Sequence, residues 1–237
     1  QSYIGDTFIL QTRFKNIRIT EYLDCVAGLP YQRAGRSDHV RIVEGNGTVK
    51  LHFRPRLDFG RTPTRLMPRE NGIEIDGWTD PAVLYSPGVD WTITDDGFHQ
   101  TATAEYTLTG EPLQLEFRYG TASLRPSVVA ETERRRQTAR FWGGWLDTLD
   151  LPDLHSDLTR RSALALKALC HGPSGAICAA ATMSLPEHLG GVRNWDYRYC
   201  WPRDAAMSAA ALVRLGNTGV AVKLLDWIVG VVDTLES

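Results

Sequence analysis

Residues Arg193 to Asp204 read Arg-Asn-Trp-Asp-Tyr-Arg-Tyr-Cys-Trp-Pro-Arg-Asp. They place four aromatics, three arginines, two aspartates and one asparagine in twelve positions, directly before a run of almost wholly apolar residues. Charged groups at the mouth of an apolar core are costly unless they are paired or used. Used together, these types suit a polyhydroxyl ring such as a sugar. Trp and Tyr can lie against the apolar C–H face of a pyranose. Asp accepts hydrogen bonds from the hydroxyl rim, and Arg donates to it in a fixed fork. A ring of the wrong shape would leave polar groups unpaired, at about 1–3 kcal/mol each. The same residues could instead form a structural Arg–Asp network that ties a loop to a helix end, and residue types alone leave both readings open.

The elements around this segment fall into two halves. From residue 1 to about 120 the apolar period is two. Val49, Leu51 and Phe53, then Pro55, Leu57 and Phe59, alternate with Lys50, His52, Arg54, Arg56 and Asp58. That pattern predicts a strand with one buried and one solvated face, with Pro55 at an edge or bulge. Further strands are predicted over Thr7–Phe14, Ile17–Tyr22, His39–Glu44, Gly72–Asp76, Ala82–Tyr85, Trp91–Thr94, Thr101–Leu108 and Leu113–Tyr119. In the last, Leu113, Leu115, Phe117 and Tyr119 alternate with Gln114, Glu116 and Arg118. Turn signals separate the runs at Asn46-Gly47, read as a hairpin, and at Asn71-Gly72, Asp96-Gly97 and Gly110 with Pro112. Many short strands with close turns predict an antiparallel β-sandwich over residues 1–124.

Beyond about residue 128 the period is helical. One helix is predicted over Glu131–Leu149, with Trp142 and Trp145 on one face and Arg134, Arg135 and Arg136 in solvent. A second spans Leu154–Leu169, with Leu158, Ala165, Leu166 and Leu169 as its apolar stripe and Ser156 or Asp157 as its cap. A third runs from about Arg203 to Leu215, ended by Gly216, with Pro202 suited to its first turn. A fourth runs from Gly219 to the C-terminus. The third and fourth carry apolar residues nearly all round, so both need cover that four helices do not supply. The expectation is that the chain stops inside a helical domain or borrows its cover from another chain, including a second copy of itself.

A chain of 237 residues with 43% apolar and 23% charged residues has an ordinary globular balance, and a net charge of -2 carries no footprint for nucleic acid or an anionic membrane. No window approaches the roughly 18 apolar residues of a membrane span. Gln1–Leu10 lacks the pattern of a signal peptide. Cys25, Cys170, Cys178 and Cys200 form no Cys-x-x-Cys pair and no zinc spacing, which predicts free thiols in a reducing, cytoplasmic setting.

The string Gly175-Ala-Ile-Cys-Ala-Ala-Ala-Thr-Met-Ser-Leu-Pro-Glu187, followed by Gly190-Gly-Val-Arg-Asn-Trp-Asp-Tyr-Arg-Tyr-Cys-Trp-Pro-Arg-Asp-Ala205, resembles glycoside hydrolase family 15. The likeness is to its bacterial and archaeal branch of glucoamylases, glucodextranases and trehalases. Arg41–Gly45 and Leu57–Thr62 resemble the β-sandwich that precedes the catalytic domain there. The resemblance implies a multidomain β-then-α chain. Residues 1–124 would form the sandwich, 125–150 a linker helix, and 151–237 the first helices of an (α/α)6 toroid, truncated at its end. It implies hydrolysis of α-glucosidic bonds with inversion, in trehalose or in malto- or isomalto-oligosaccharides, with no cofactor and no metal. Tyr197 and Trp201 match positions lining the subsite for the non-reducing glucose. Arg203 and Asp204 match the pair that hydrogen-bonds its hydroxyls, while Arg193, Asn194, Trp195 and Asp196 shape the loop.

An inverting glycosidase needs a carboxylic acid and a carboxylate base about 6.5–9.5 Å apart, with water between. The resemblance places both on glutamates later in the catalytic domain. The late candidates here, Glu187 and Glu236, match neither, so no catalytic residue is assigned and the acid and base are expected beyond Ser237. A native start upstream of Gln1 is expected as well. The alternatives are a non-catalytic glucoside-binding module and one subunit of a split enzyme.

Overall fold

The computed structural model describes residues 1–25 and 36–235, so Glu236 lies outside the described residues. The chain divides into two compact units, Gln1–Arg140 and Phe141–Ser237.

Among the described residues, the first unit holds ten antiparallel strands. They are β1 (Ser2–Tyr3), β2 (Leu10–Phe14), β3 (Ile17–Leu23), β4 (Ser37–Phe53), β5 (Arg65–Arg69), β6 (Gly72–Asp76), β7 (Ala82–Tyr85), β8 (Thr92–Asp95), β9 (Gln100–Thr109) and β10 (Leu113–Tyr119). The main path runs β1-β2-β3-β4-β10-β7-β6-β5, and β9 and β8 branch from β4. The long β4 belongs to both layers. Its first part pairs with β3 as far as Ile17 opposite Gly45, and its second part pairs with β9 from Asn46 opposite Thr109.

This corrects the hairpin predicted at Asn46-Gly47. The strand bends there and continues. Gly45 has φ +129°, and a Cβ on it would stand 2.1 Å from the Asn16 carbonyl oxygen. Only glycine takes that conformation without strain, and here it supplies a bend between layers rather than a reversal.

Alternation decides what each face meets. Ile17 and Ile19 of β3 join Val43, Leu113, Leu115, Leu108 and Leu51 in a core between the layers. A neighbouring core gathers Leu66, Ile73, Ile75 and Leu84 with Ala102, flanked by Phe53, Trp91 and Phe117. On the opposite face of β3 and β4, Tyr22, Val40 and Ile42 pack with Ile9 and Ala139 of the helix α1 (Glu131–Leu146). Strand β5 was not expected from the sequence, and Pro55 falls after β4 has ended rather than inside a strand.

The face of β10 expected in solvent is instead covered. Glu116 and Arg118 are buried, and so is Arg134, which the sequence placed in water beside Arg135 and Arg136. Arg134 Nε donates to Asp24 Oδ2 at 2.7 Å, and its Nη1 donates to Glu116. Arg118 Nε donates to the other Glu116 oxygen at 2.8 Å. Glu131, Arg134 and Thr138 recur at helical spacing on this face: Tyr22 Oη donates to Glu131 at 3.1 Å and the Cys25 amide to Thr138 Oγ1 at 3.0 Å. Burial pushes the Asp24 carboxyl above its ordinary value, which the hydrogen bond from Arg134 offsets only in part. For Glu116, burial acts upward but Arg134 and Arg118 outweigh it, holding this carboxyl below the usual range.

The second unit holds α2 (Ser156–Ala168), α3 (Pro202–Arg214) and α4 (Thr218–Leu235). The residue before α2 is His155, with φ +55° and no side-chain cap bond, so Ser156 and Asp157 lie inside the helix rather than capping it. Its buried residues are Ala163 and Leu164, while Leu158 of the predicted stripe is 67% exposed. Pro202 takes the first position of α3 as expected, and Gly216 at φ +83° ends it. Ala205, Ala209 and Leu212 lie at one-turn spacing and pack against Val220 and Leu224 of α4, with Ile177, Trp145 and Trp227 around them. Met207 on α3 and Val222, Leu225 and Val229 on α4 remain open on the outer faces.

Candidate sugar-binding site

The segment between α2 and α3 folds back on itself. Cys170 pairs with Ile177, and Met183 with Asp196, as isolated antiparallel bridges. The Ala180 amide donates to the Tyr197 carbonyl at 2.8 Å and the Ala179 amide to the Tyr199 carbonyl at 3.1 Å. Farther out, Ser184 and Trp195 are joined twice: the Ser184 amide donates to the Trp195 carbonyl, and the Trp195 amide to Ser184 Oγ at 2.7 Å. At the tip the Glu187 amide donates to the Arg193 carbonyl at 3.1 Å. This irregular ladder carries residues 193–201 alongside 179–187 and delivers Trp201 to the start of α3.

The ladder brings three aromatics together. The Trp201 ring centroid lies 5.7 Å from that of Tyr197 and 6.1 Å from that of Trp195, the latter edge-on. Trp201 Nε1 donates to the Asp196 carbonyl at 2.9 Å, which satisfies its polar atom and fixes the ring. Tyr197 and Trp201 are half-buried, so each keeps surface toward solvent.

Arg203 and Asp204 follow in the first turn of α3. Arg203 Nη2 donates to Asp204 Oδ2 at 3.1 Å, with 74% of the Arg203 side chain exposed. A carboxylate in the first turn is favoured by the unpaired amides of the helix N-terminus. A planar donor fork and a carboxylate acceptor therefore stand within three residues of Trp201, bonded to each other.

The residues expected to shape the loop make contacts within it. Asp196 binds Arg198 through two side-chain hydrogen bonds, at 2.9 and 2.6 Å, and these hold its carboxyl below the usual carboxylate range. Asn194 accepts from Ser184 Oγ at 3.5 Å, and Arg193 reaches the exposed Glu187 at 3.3 Å. Sequence reasoning left Ser184 and Arg198 without a role. An Asp-x-Arg spacing is visible in the sequence, whereas nothing in it announces the pairing of Ser184 with Trp195.

All four cysteines are free. Burial raises the thiols of Cys170 and Cys178, and pushes that of Cys25 up to about 12. Among the described residues, no group of three or more His, Cys, Asp or Glu side chains is placed to hold a metal ion, and no helix is long and apolar enough to cross a membrane.

Comparison with known proteins matches residues 1–142 to the trehalase-like N-terminal family and residues 154–235 to glycosyl hydrolases family 15. The chain belongs to the trehalase-like members of glycoside hydrolase family 15. A trehalase of Thermoplasma acidophilum is 42% identical over 101 residues, which is 43% of this chain and 17% of that protein. A trehalase of Mycolicibacterium smegmatis is 46% identical over 82 residues, 34% of this chain and 12% of that protein. Trehalase 2 of Sulfolobus acidocaldarius is 32% identical over 119 residues, 50% of this chain and 21% of that protein. The matched part of this family-15 chain thus spans between 12% and 21% of these relatives. Both family matches fall where the structure changes character, strands in the first and helices with the aromatic ladder in the second.

Proposed function

We propose that this chain carries the glucose-recognition part of an inverting α-glucoside hydrolase acting on trehalose or on malto- or isomalto-oligosaccharides. The observation that supports this reading best is the contact between the Tyr197 and Trp201 rings, with Arg203 and Asp204 following directly on the first turn of α3. The rings form a wall against one face of the non-reducing glucose, which excludes water there. The Arg203 fork donates to, and Asp204 accepts from, neighbouring hydroxyls. The ring is thereby oriented for two glutamates that the family resemblance puts later than this segment. Glu187 is exposed beside Arg193 at the ladder tip and takes no part. In this reading residues 1–124 are the sandwich, 125–150 the linker helix, and 151–237 the opening helices of an (α/α)6 toroid. The four free thiols support a reducing compartment.

Saturation-transfer NMR with trehalose, maltose and isomaltose tests the reading. At least one disaccharide is expected to receive saturation from the chain. Arg203→Ala and Asp204→Ala are each expected to weaken it by about 5- to 150-fold, the equivalent of about 1–3 kcal/mol. Binding that survives both substitutions, or no transfer to any of the three sugars, counts against it. Glucose release from the same sugars then separates a hydrolase from a binding module. A second reading, one subunit of a split enzyme, draws support from the open apolar residues Met207, Leu225 and Val229. It predicts association on size exclusion, which a free-standing module lacks.

A further inference from the structure

Tyr197 sits at the apex of a turn that is closed twice. Asp196 Oδ1 accepts the backbone amide of Arg198 at 3.0 Å, forming an Asx turn across Tyr197. The Arg198 guanidinium closes the same turn with Nε on Oδ1 at 2.9 Å and Nη2 on Oδ2 at 2.6 Å, a bidentate fork. The main-chain carbonyl of Asp196 meanwhile holds the Trp201 indole at 2.9 Å. One residue therefore governs both rings of the wall. Its carboxylate shapes the turn that presents Tyr197, and its carbonyl anchors Trp201. Arg198 clamps its carboxylate, while the bridge to Met183 holds its backbone.

We propose that Arg198 is a positioning residue for glucoside recognition: it acts through Asp196 to set the mutual orientation of Tyr197 and Trp201. The proposal rests on the reading of that wall as the sugar site. Half of the Arg198 side chain is exposed, and ion pairs of this kind add little to global stability. Losing it should disturb the wall and leave the fold standing. Lysine keeps the charge but not the planar fork, so it should restore the wall only in part.

The test is nitrogen-15 NMR of the 237-residue chain, with the Trp201 indole signal identified by its loss in Trp201→Phe. In Arg198→Ala the indole N–H is expected to exchange with water about tenfold faster, because the turn that carries its acceptor loses the guanidinium clamp. The ring-to-ring cross-peaks between Tyr197 and Trp201 should weaken, and trehalose affinity should fall about tenfold while the sandwich signals stay unchanged. Arg198→Lys should lie between Arg198→Ala and the unaltered chain in all three. An indole exchange rate and ring cross-peaks unaltered in Arg198→Ala overturn the proposal. If Arg198→Ala does not fold, Arg198→Gln replaces it, and wild-type exchange there overturns the proposal equally. Failure of the sugar reading shows separately, as an unaltered chain that binds no glucoside although its indole responds to Arg198.

Discussion

Replacing Arg134 with Ala removes the cation that faces two buried carboxylates, those of Asp24 and Glu116. All three side chains are nearly inaccessible, at 4%, 0% and 1% exposure. Removing one partner of such a group costs about 3–5 kcal/mol, because a desolvated charge is left behind. Glu116 retains Arg118 at 2.7 Å, so the lower end applies, about 3 kcal/mol. With a urea slope of about 2 kcal/mol per M, the unfolding midpoint of the strand unit drops by about 1.5 M. Far-ultraviolet dichroism at the strand wavelength follows it. Arg136→Ala provides the comparison. Arg136 is the next residue but one, pairs with Glu133 on the surface, and is 47% exposed. Its loss should move stability by no more than about 0.5 kcal/mol. Equal effects from the two substitutions, or an Arg134→Ala midpoint within about 0.3 M of the unaltered chain, would refute the burial argument.

Two other outcomes are expected. Gly72 has φ +149°, and a Cβ there would meet the Leu84 carbonyl oxygen at 1.9 Å, so Gly72→Ala should destabilise the strand unit by more than about 2 kcal/mol. Gly88→Ala, with nothing within 4 Å, should cost less; urea midpoints that rank them the other way contradict this. Glu116 has a carboxyl below its ordinary value, so its ionised form contributes stability fully above the unfolded glutamate value of about 4.3. That contribution disappears as pH falls through the lower folded value, so urea midpoints should decline below about pH 4. Glu116→Gln should flatten that decline, and an unchanged slope in the variant would assign the acid sensitivity elsewhere.

Local chemistry was legible in the sequence wherever its partners were near in the chain. The alternation of β10, the proline opening of α3 and the glycine closing it all follow from residues within one turn or one strand. Tyr197 and Trp201 lie only four positions apart, and their rings meet. What escaped depends on distant partners. Arg134 reads like its two neighbours until Asp24, 110 positions earlier, is set against it. Asn46-Gly47 carries hairpin chemistry, but β9 rather than the next segment supplies the pairing, so the glycines bend a strand instead of reversing it. Ser184 acquires meaning only once the ladder sets it opposite Trp195.

The sharing of β4 between two layers makes Gly45 and Asn46 a seam between two independent registers. An extra residue inserted just after Gly47 would leave Ser37–Gly45 aligned with β3 and β10, because their pairing ends before it. Beyond the seam, every side chain would turn over. Val49, Leu51 and Phe53 would face water, and Lys50 and His52 would be driven between the layers. A single insertion could therefore invert half of a continuous strand while the other half kept its native partners. Length at that seam is therefore constrained alongside the glycine at position 45.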